Sequence, residues 1–365
     1  MYTKQIKTNS LFIRDCLFWG LLLAAVIFRF QSTKPVYRDG DKIRVSGRLL
    51  TEPIRYSNAQ YFHLERLKVY LPLFPEIYYG DYVVIEGVVS EDKLTSPVLV
   101  NRIESRNMLF LIRRRLISFY QASLSEPHAS LVAGIVIGAK SSLPEDFWNA
   151  LKATGTAHVV VASGMNVSMT ASFVLAALVN FITRKRAVII AIVSIWIYTV
   201  MSGFDAPIIR AAIMGSIAFG AQSVGRLSLS LRALLLSAVL MLIINPRWMT
   251  DLGFVLSFLA TLALILFESK IRSKIHFVPG VFREGLSTSL AAQVGVAPVL
   301  YYVFGQFNPV SPLINALILW TIAPIMVIGS LSGLLGIFMP FLGRAVLLLA
   351  FPLTSWFVFV VNLFG

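Results

Sequence analysis

The sequence predicts a polytopic α-helical membrane protein carrying a small all-β, OB-like barrel outside the bilayer. Three observations carry that expectation. Apolar residues make up 57% of the 365 residues against 14% charged, and the mean hydropathy is +0.76, a composition suited to a bilayer and not to one soluble core. From Leu131 onward apolar runs follow one another closely, several of them long enough to cross. Residues 36–106 instead read as short alternating runs bounded by turn residues. The formal charge of +14 would also suit a nucleic-acid binder, but membrane proteins collect Lys and Arg in cytoplasmic loops for topological reasons, so placement decides. The one cysteine, Cys16, excludes an intrachain disulfide and thiolate metal sites.

Residues 1–35 are expected to form a cytoplasmic tail and a transmembrane anchor. The run 11–28 is long enough to span, follows Lys4 and Lys7, and has no small-residue cleavage site before Arg29, which argues for a retained anchor over a signal peptide. In the β domain, 36–106, strands are expected at 42–50, 61–71, 82–89 and 98–104, with bends at Asp39-Gly40, Gly80-Asp81 and Gly87. Pro53, Pro72 and Pro75 break any longer strand. Roughly five short strands so punctuated suit an OB-like barrel.

Residues 107–155 are expected to hold interfacial and surface helices. In 107–124, Leu109, Ile112, Leu116 and Phe119 fall on one side and Arg113, Arg114 and Arg115 on the other, the pattern of a helix lying in the interface. The run 131–138 is too short to cross and suggests re-entrant structure. Ser141-Ser142-Leu143-Pro144-Glu145 resembles the capped start of a surface helix.

The transmembrane domain, 156–365, is expected to span at 158–182, 187–201, 207–224, 233–244, 252–267, 286–303, 311–339 (as one run or two) and 345–363. Arg184-Lys185-Arg186, Arg226 with Arg232, the group Lys270, Arg272, Lys274 and Arg283, and Arg344 alternate onto one side, which the positive-inside rule assigns to the cytoplasm. The β domain then lies outside.

Within 154–172, Gly155, His158, Ser163, Gly164, Asn166 and Thr170 give more small and polar residues than lipid contact needs. On a continuous helix Ser163, Asn166 and Thr170 would share a face. Such groups line a pathway or join helices, and both readings stand. His158 would sit about 140° from Ser163 on a regular helix, which argues against a hydrogen-bonded pair. Asp205, before Ala206-Pro207, reads as an N-cap. Arg210 has three readings: a partner for Asp205, a snorkelling cation, or a phosphate contact in a pore. Gln293, Asn308 and Asn315 suit pore lining or interhelical bonds. In the β domain, Tyr56, Tyr61, Phe62, Tyr78, Tyr79 and Tyr82 would stack bases, fill the core or anchor at the membrane interface. Basic and acidic residues are balanced there, so a strong phosphate grip would need segregated charge. Arg113, Arg114 and Arg115 suit anionic lipid headgroups ahead of DNA phosphates.

Four ordered blocks carry a resemblance. Gly138 and Leu143-Pro144 with Gly155, His158, Ala162-Ser163-Gly164 and Val167 form the first; Tyr198, Ser202-Gly203, Pro207 and Arg210-Ala211 with Gly225-Arg226 the second. Asn245-Pro246 with Leu252-Gly253-Phe254 and Leu256-Ser257-Phe258 form the third, and Ala297-Pro298 through Asn315 the fourth. Together they resemble the ComEC family of bacterial competence channels, from about Leu131 to Trp320. The resemblance implies an inner-membrane channel that carries single-stranded DNA into the cytoplasm, with the OB-like domain handling DNA outside. It also implies a DNA receptor outside and a cytoplasmic ATP-driven helicase or translocase as partners, with a homo-oligomer as one way to form the pore. Asn166 stands where the family usually has His. The chain ends at Gly365 without the metallo-β-lactamase-like domain of many members, and no His-x-His-x-Asp cluster occurs among His63, His128, His158 and His276. A separate nuclease is expected to do any strand degradation, and no cofactor, metal or catalytic residue is expected in this chain. The Ala-Ser-Gly run also suits an intramembrane serine hydrolase, but no later span offers a base. A secondary transporter or lipid-handling protein is the stronger rival, and it would be expected to carry intramembrane carboxylates and repeats.

Overall fold

A computed structural model of the chain describes residues 19–32, 37–55, 58–65, 67–140, 143–161, 163–223, 230–305 and 308–365. Cys16, the first part of the expected anchor, Tyr56, Arg66, Ser141-Ser142, Ala162 and Gly225-Arg226 lie outside the described residues.

Alternating apolar residues build the sheet. Its strands are β1 (Lys42–Arg48), β2 (Ile54–Arg55), β3 (Gln60–Leu64), β4 (Leu67–Leu71), β5 (Tyr82–Ser90) and β6 (Lys93–Ile103), in the order β1-β5-β6-β4-β3-β2. Every pairing is antiparallel except β4 with β6. Val45, Phe62, Val69, Val83 and Ile85 point into one core, because residues two apart on a strand share a face. The expected strand 61–71 is two strands, turned at Glu65 in the left-handed region (φ 53°). Gly40 and Gly80 hold the expected bends with φ of 89° and 92°. Gly87 is no bend; it lies inside β5 at a register shift against β6.

The helices begin with α1 (Trp19–Ser32), α2 (Met108–Ser123), α3 (His128–Ile137), α4 (Glu145–Ala153), α5 (Ala157–Val160) and α6 (Gly164–Leu178). They continue with α7 (Arg184–Ser202), α8 (Ala206–Ser223), α9 (Ser230–Ile244), α10 (Leu252–Lys274), α11 (Gly280–Phe304), α12 (Ser311–Phe338), α13 (Pro340–Leu348) and α14 (Phe351–Phe364). Five segments are long and apolar enough to cross a membrane: 157–178, 184–202, 252–274, 280–303 and 311–338. The pair α13 and α14, bent by 50°, makes a sixth when taken as one span. The protein is a multi-pass membrane protein. The expected spans 207–224 and 233–244 correspond to shorter apolar helices, α8 and α9, and 311–339 is one helix despite Pro324.

The core of the helical body is α3, in which every residue from Ala129 to Ile137 is buried. Gly138 ends it in the left-handed conformation, the helix C-terminus that glycine tolerates without strain. Gly329 of α12 sits so close that an added Cβ would fall 2.6 Å from Val136 Cγ2, and Tyr120 donates to the Gly329 carbonyl at 2.9 Å. Small residues thus let α2, α3 and α12 approach as membrane helices do.

The sheet meets the ends of α7 and α8. Phe204 N–H donates to the Leu50 carbonyl at 3.3 Å, and Tyr79 Oη donates to the Val200 carbonyl at 2.5 Å. The basic run Arg184-Lys185-Arg186 is at the other end of α7. The start of α13, however, packs beside Arg114 and Arg115 of α2.

Candidate functional site

The segment 154–172 does not form one helix. Val161 (ψ 139°) and Ser163 (ψ 168°) are extended, and α6 starts at Gly164. Ser163 stands at the N-cap, outside the helical repeat that would have placed it on a face with Asn166 and Thr170. Its hydroxyl turns to Asn166 Oδ1 at 3.3 Å and does not cap the first turn of α6. Asn166 is fully buried and donates to the Ile135 carbonyl at 3.1 Å; Thr170 donates to the Asn166 carbonyl at 2.9 Å. The Asn166 bond joins α6 to α3, whereas the Thr170 bond stays within α6. His158 Nδ1 lies 3.0 Å from the Gly155 carbonyl, away from Ser163. Gly155, at φ 71°, turns tightly over α12: an added Cβ would fall 2.6 Å from Ser311 Oγ.

Arg210 faces the seam where α6, α8 and α10 meet. Its Nε donates to Ser257 Oγ at 2.7 Å, its guanidinium lies 5.9 Å from the centre of the Phe258 ring, and Nη1 is 3.5 Å from Met214 Sδ. A side chain at Gly164 would come within 3.3 Å of Nη2, so that glycine leaves room for the cation. Asp205 is not its partner: that carboxylate pairs with Lys140 Nζ. Among the described residues no carboxylate lies within 4 Å of Arg210. A half-buried cation so held has donors free for a phosphate.

A buried ion pair joins the sheet to the helices, although Arg113 Nη2 is not aligned for a hydrogen bond within it. Arg113 is 4% exposed; its Nη2 lies 3.1 Å from Glu52 Oε1, and its Nε donates to the Met201 carbonyl at 2.7 Å. Glu52 also accepts the Lys140 N–H at 2.5 Å. The ring of Tyr79 lies 5.0 Å beneath the Arg113 guanidinium and packs edge-on against Phe110 at 5.0 Å. Burial pushes the Tyr79 phenol well above its ordinary pKa, which keeps it a donor. Arg113 and Tyr79 therefore offer nothing to DNA or to a headgroup. Phe62, 1% exposed, is core. Arg114 lies 4.1 Å over Tyr78 and 3.6 Å from Glu104, while Tyr78 itself bonds Glu76 and takes Arg55 and Arg102 at 5.6 and 5.3 Å. Arg115 is exposed.

One aromatic patch does face outward. Tyr61 of β3 and Tyr70 of β4 are cross-strand partners, with ring centres 4.8 Å apart, and Tyr70 is 45% exposed. His63 Nε2 lies 2.6 Å from Tyr61 Oη. Lys68 completes the patch and pairs with Asp92 at 2.5 Å, so stacking surface and not net charge is what this face offers. Tyr82 is 38% exposed, at the start of β5. His63 is the member of this face that the sequence did not mark as a contact, although strand parity with Tyr61 would have found it.

The late polar residues join elements. Gln293 Nε2 donates to the Asn308 carbonyl at 3.0 Å, Asn308 Nδ2 to the Ala153 carbonyl at 2.8 Å, and Asn315 Nδ2 to Ser289 Oγ at 2.9 Å. Asn315 Oδ1 is buried without a partner. Among the described residues no group of three His, Cys, Asp or Glu is placed to hold a metal ion.

Comparison with known proteins gives a family match over most of the helical body. The family model described as "Competence protein" matches residues 135–365. ComE operon protein 3 of Bacillus subtilis (strain 168) is 26% identical over 261 residues, covering 70% of this chain and 33% of that protein. Competence protein ComA of Neisseria gonorrhoeae is 27% identical over 219 residues, covering 55% of this chain and 30% of that protein. The chain thus spans about a third of the length of these curated relatives. No solved structure matches it.

Proposed function

The chain belongs to the ComEC family of competence proteins, and from that premise we propose that it forms a membrane channel for single-stranded DNA uptake during transformation. The observation that carries this reading is Arg210, half-buried in the seam of α6, α8 and α10, held by Ser257 and without a carboxylate partner among the described residues. A guanidinium in that setting suits a phosphodiester, the one group repeated along every strand whatever its sequence. The start of α6, which Ser163 does not cap and where Gly164 lies against Arg210, adds the positive end of a helix to the same point.

The β domain is read as a partly open OB-type barrel outside the bacterial inner membrane. Its order β1-β5-β6-β4-β3, with β4 and β6 parallel, supports that reading, β3 and β4 standing as its second and third strands. In OB folds that face receives oligonucleotides. The pair Tyr61 and Tyr70 is then a stacking platform, and a stacked base is worth about 1 to 3 kcal/mol. Replacing both with alanine should weaken binding of an oligonucleotide to the whole chain in nanodiscs at least about 10-fold, read by fluorescence anisotropy in low salt. Equal binding by wild type and variant would remove the platform. The basic run Arg184-Lys185-Arg186, at the other end of α7 from the sheet, supports a cytoplasmic side where an ATP-driven translocase would pull the strand.

The test of the function is uptake itself. Deleting the chain from its host should abolish entry of labelled single strands into the cytoplasm, and restoring it should recover entry. Uptake that survives deletion would overturn the channel reading and leave a transporter or lipid-handling protein as the alternative.

A further inference from the structure

A groove of about 520 Å³ lies between α2, the end of α12 and the start of α13. Phe119, Gly336 and Pro340 form its apolar walls, and Arg114, Arg115 and Ser118 its rim. Gly336 permits the close crossing, since an added Cβ there would fall 2.5 Å from the Phe119 ring. Arg115 is exposed and has no carboxylate within 4 Å among the described residues. The surroundings are apolar and open: Met108 is 68% exposed, Phe338 82% and Phe341 84%.

We propose that this groove binds an anionic phospholipid, the phosphate on Arg115 with Arg114 beside it and an acyl chain along Phe119, Gly336 and Pro340. Charge alone would suit a DNA phosphate equally well. The rings of Phe338 and Phe341 decide for lipid, because a nucleic-acid backbone would leave them in water whereas acyl chains cover them. A cation beside an apolar groove at the end of a span is the arrangement that holds a headgroup at its proper depth. Arg114 is partly committed to Glu104, so Arg115 supplies most of the attraction. The inference is independent of the DNA reading, which uses neither arginine.

The test is native mass spectrometry of the purified whole chain with phosphatidylglycerol and phosphatidylcholine of matched acyl chains. Wild type should retain phosphatidylglycerol at least about 5-fold in preference, and Arg115→Gln should lower that preference about 5-fold, the effect of one arginine at a membrane surface. Arg115→Lys should restore most of it. Ser118→Trp, which fills the groove and keeps both arginines, should lose the bound lipid. Equal retention of the two lipids by wild type would overturn the proposal. So would lipid retained in full by Ser118→Trp, which would mean general surface attraction. A single-stranded oligonucleotide that displaced the lipid from wild type would overturn it too, by assigning the arginines to nucleic acid.

Discussion

Replacing Arg210 with alanine should lower DNA uptake about 10- to 100-fold while the helical body stays folded. The magnitude follows from one charge-assisted hydrogen bond to a passing phosphate, worth about 1.5 to 3 kcal/mol, at about 1.4 kcal/mol for each tenfold change. Stability should not fall in parallel, because Arg210 has no ion pair to lose among the described residues and a lone guanidinium at membrane depth is itself costly. Arg210→Lys should be intermediate: it keeps the charge but loses the planar fork that can hold Ser257 and a phosphate together. Uptake of labelled strands and thermal unfolding in detergent separate the two effects. Uptake by Arg210→Ala within twofold of wild type would remove the residue from the path.

Arg113→Ala should be the most destabilising single change at the junction of sheet and helices, by about 3 to 5 kcal/mol. It leaves Glu52, paired at 3.1 Å in a site where Arg113 is 4% exposed, as a buried carboxylate without its cation. The Met201 carbonyl loses its donor at 2.7 Å, and the Tyr79 ring loses the charge above it. Adding Glu52→Gln to Arg113→Ala should recover part of the loss, since the stranded charge goes with it. Limited proteolysis between sheet and helices, read beside thermal unfolding, measures this directly. A wild-type melting profile for Arg113→Ala would show that the junction does not depend on the pair.

The α2 helix shows how far periodicity could carry the sequence reading. Three consecutive residues are about 100° apart on a helix, so Arg113, Arg114 and Arg115 cannot crowd one side. Phe110, Arg113, Leu116 and Tyr120 are in fact the buried stripe, and that spacing was visible in the chain. The same holds for strand parity: Phe62 inward forces Tyr61 and His63 outward. The stop between α5 and α6 was masked by its apolar neighbours, although Ser163-Gly164 is a reasonable helix start. What no local pattern encodes is the partner across the fold. Glu52 reads as one more loop acid and Ser257 as one more small residue in a span, until packing brings them to Arg113 and Arg210.

The two arginines differ in one respect that bears on speed. Arg113 has a permanent counter-ion in Glu52, whereas among the described residues Arg210 has the neutral Ser257 hydroxyl and the Met214 sulfur as its near partners. A fixed carboxylate beside Arg210 would compete with each arriving phosphate, and each nucleotide would have to displace it. With a neutral partner, successive phosphates can trade places on the same donors at nearly constant free energy. In the proposed channel, conduction would need a site that attracts without holding, and a single cation steadied by a hydroxyl would meet that need for a polymer that presents the same charge at every step.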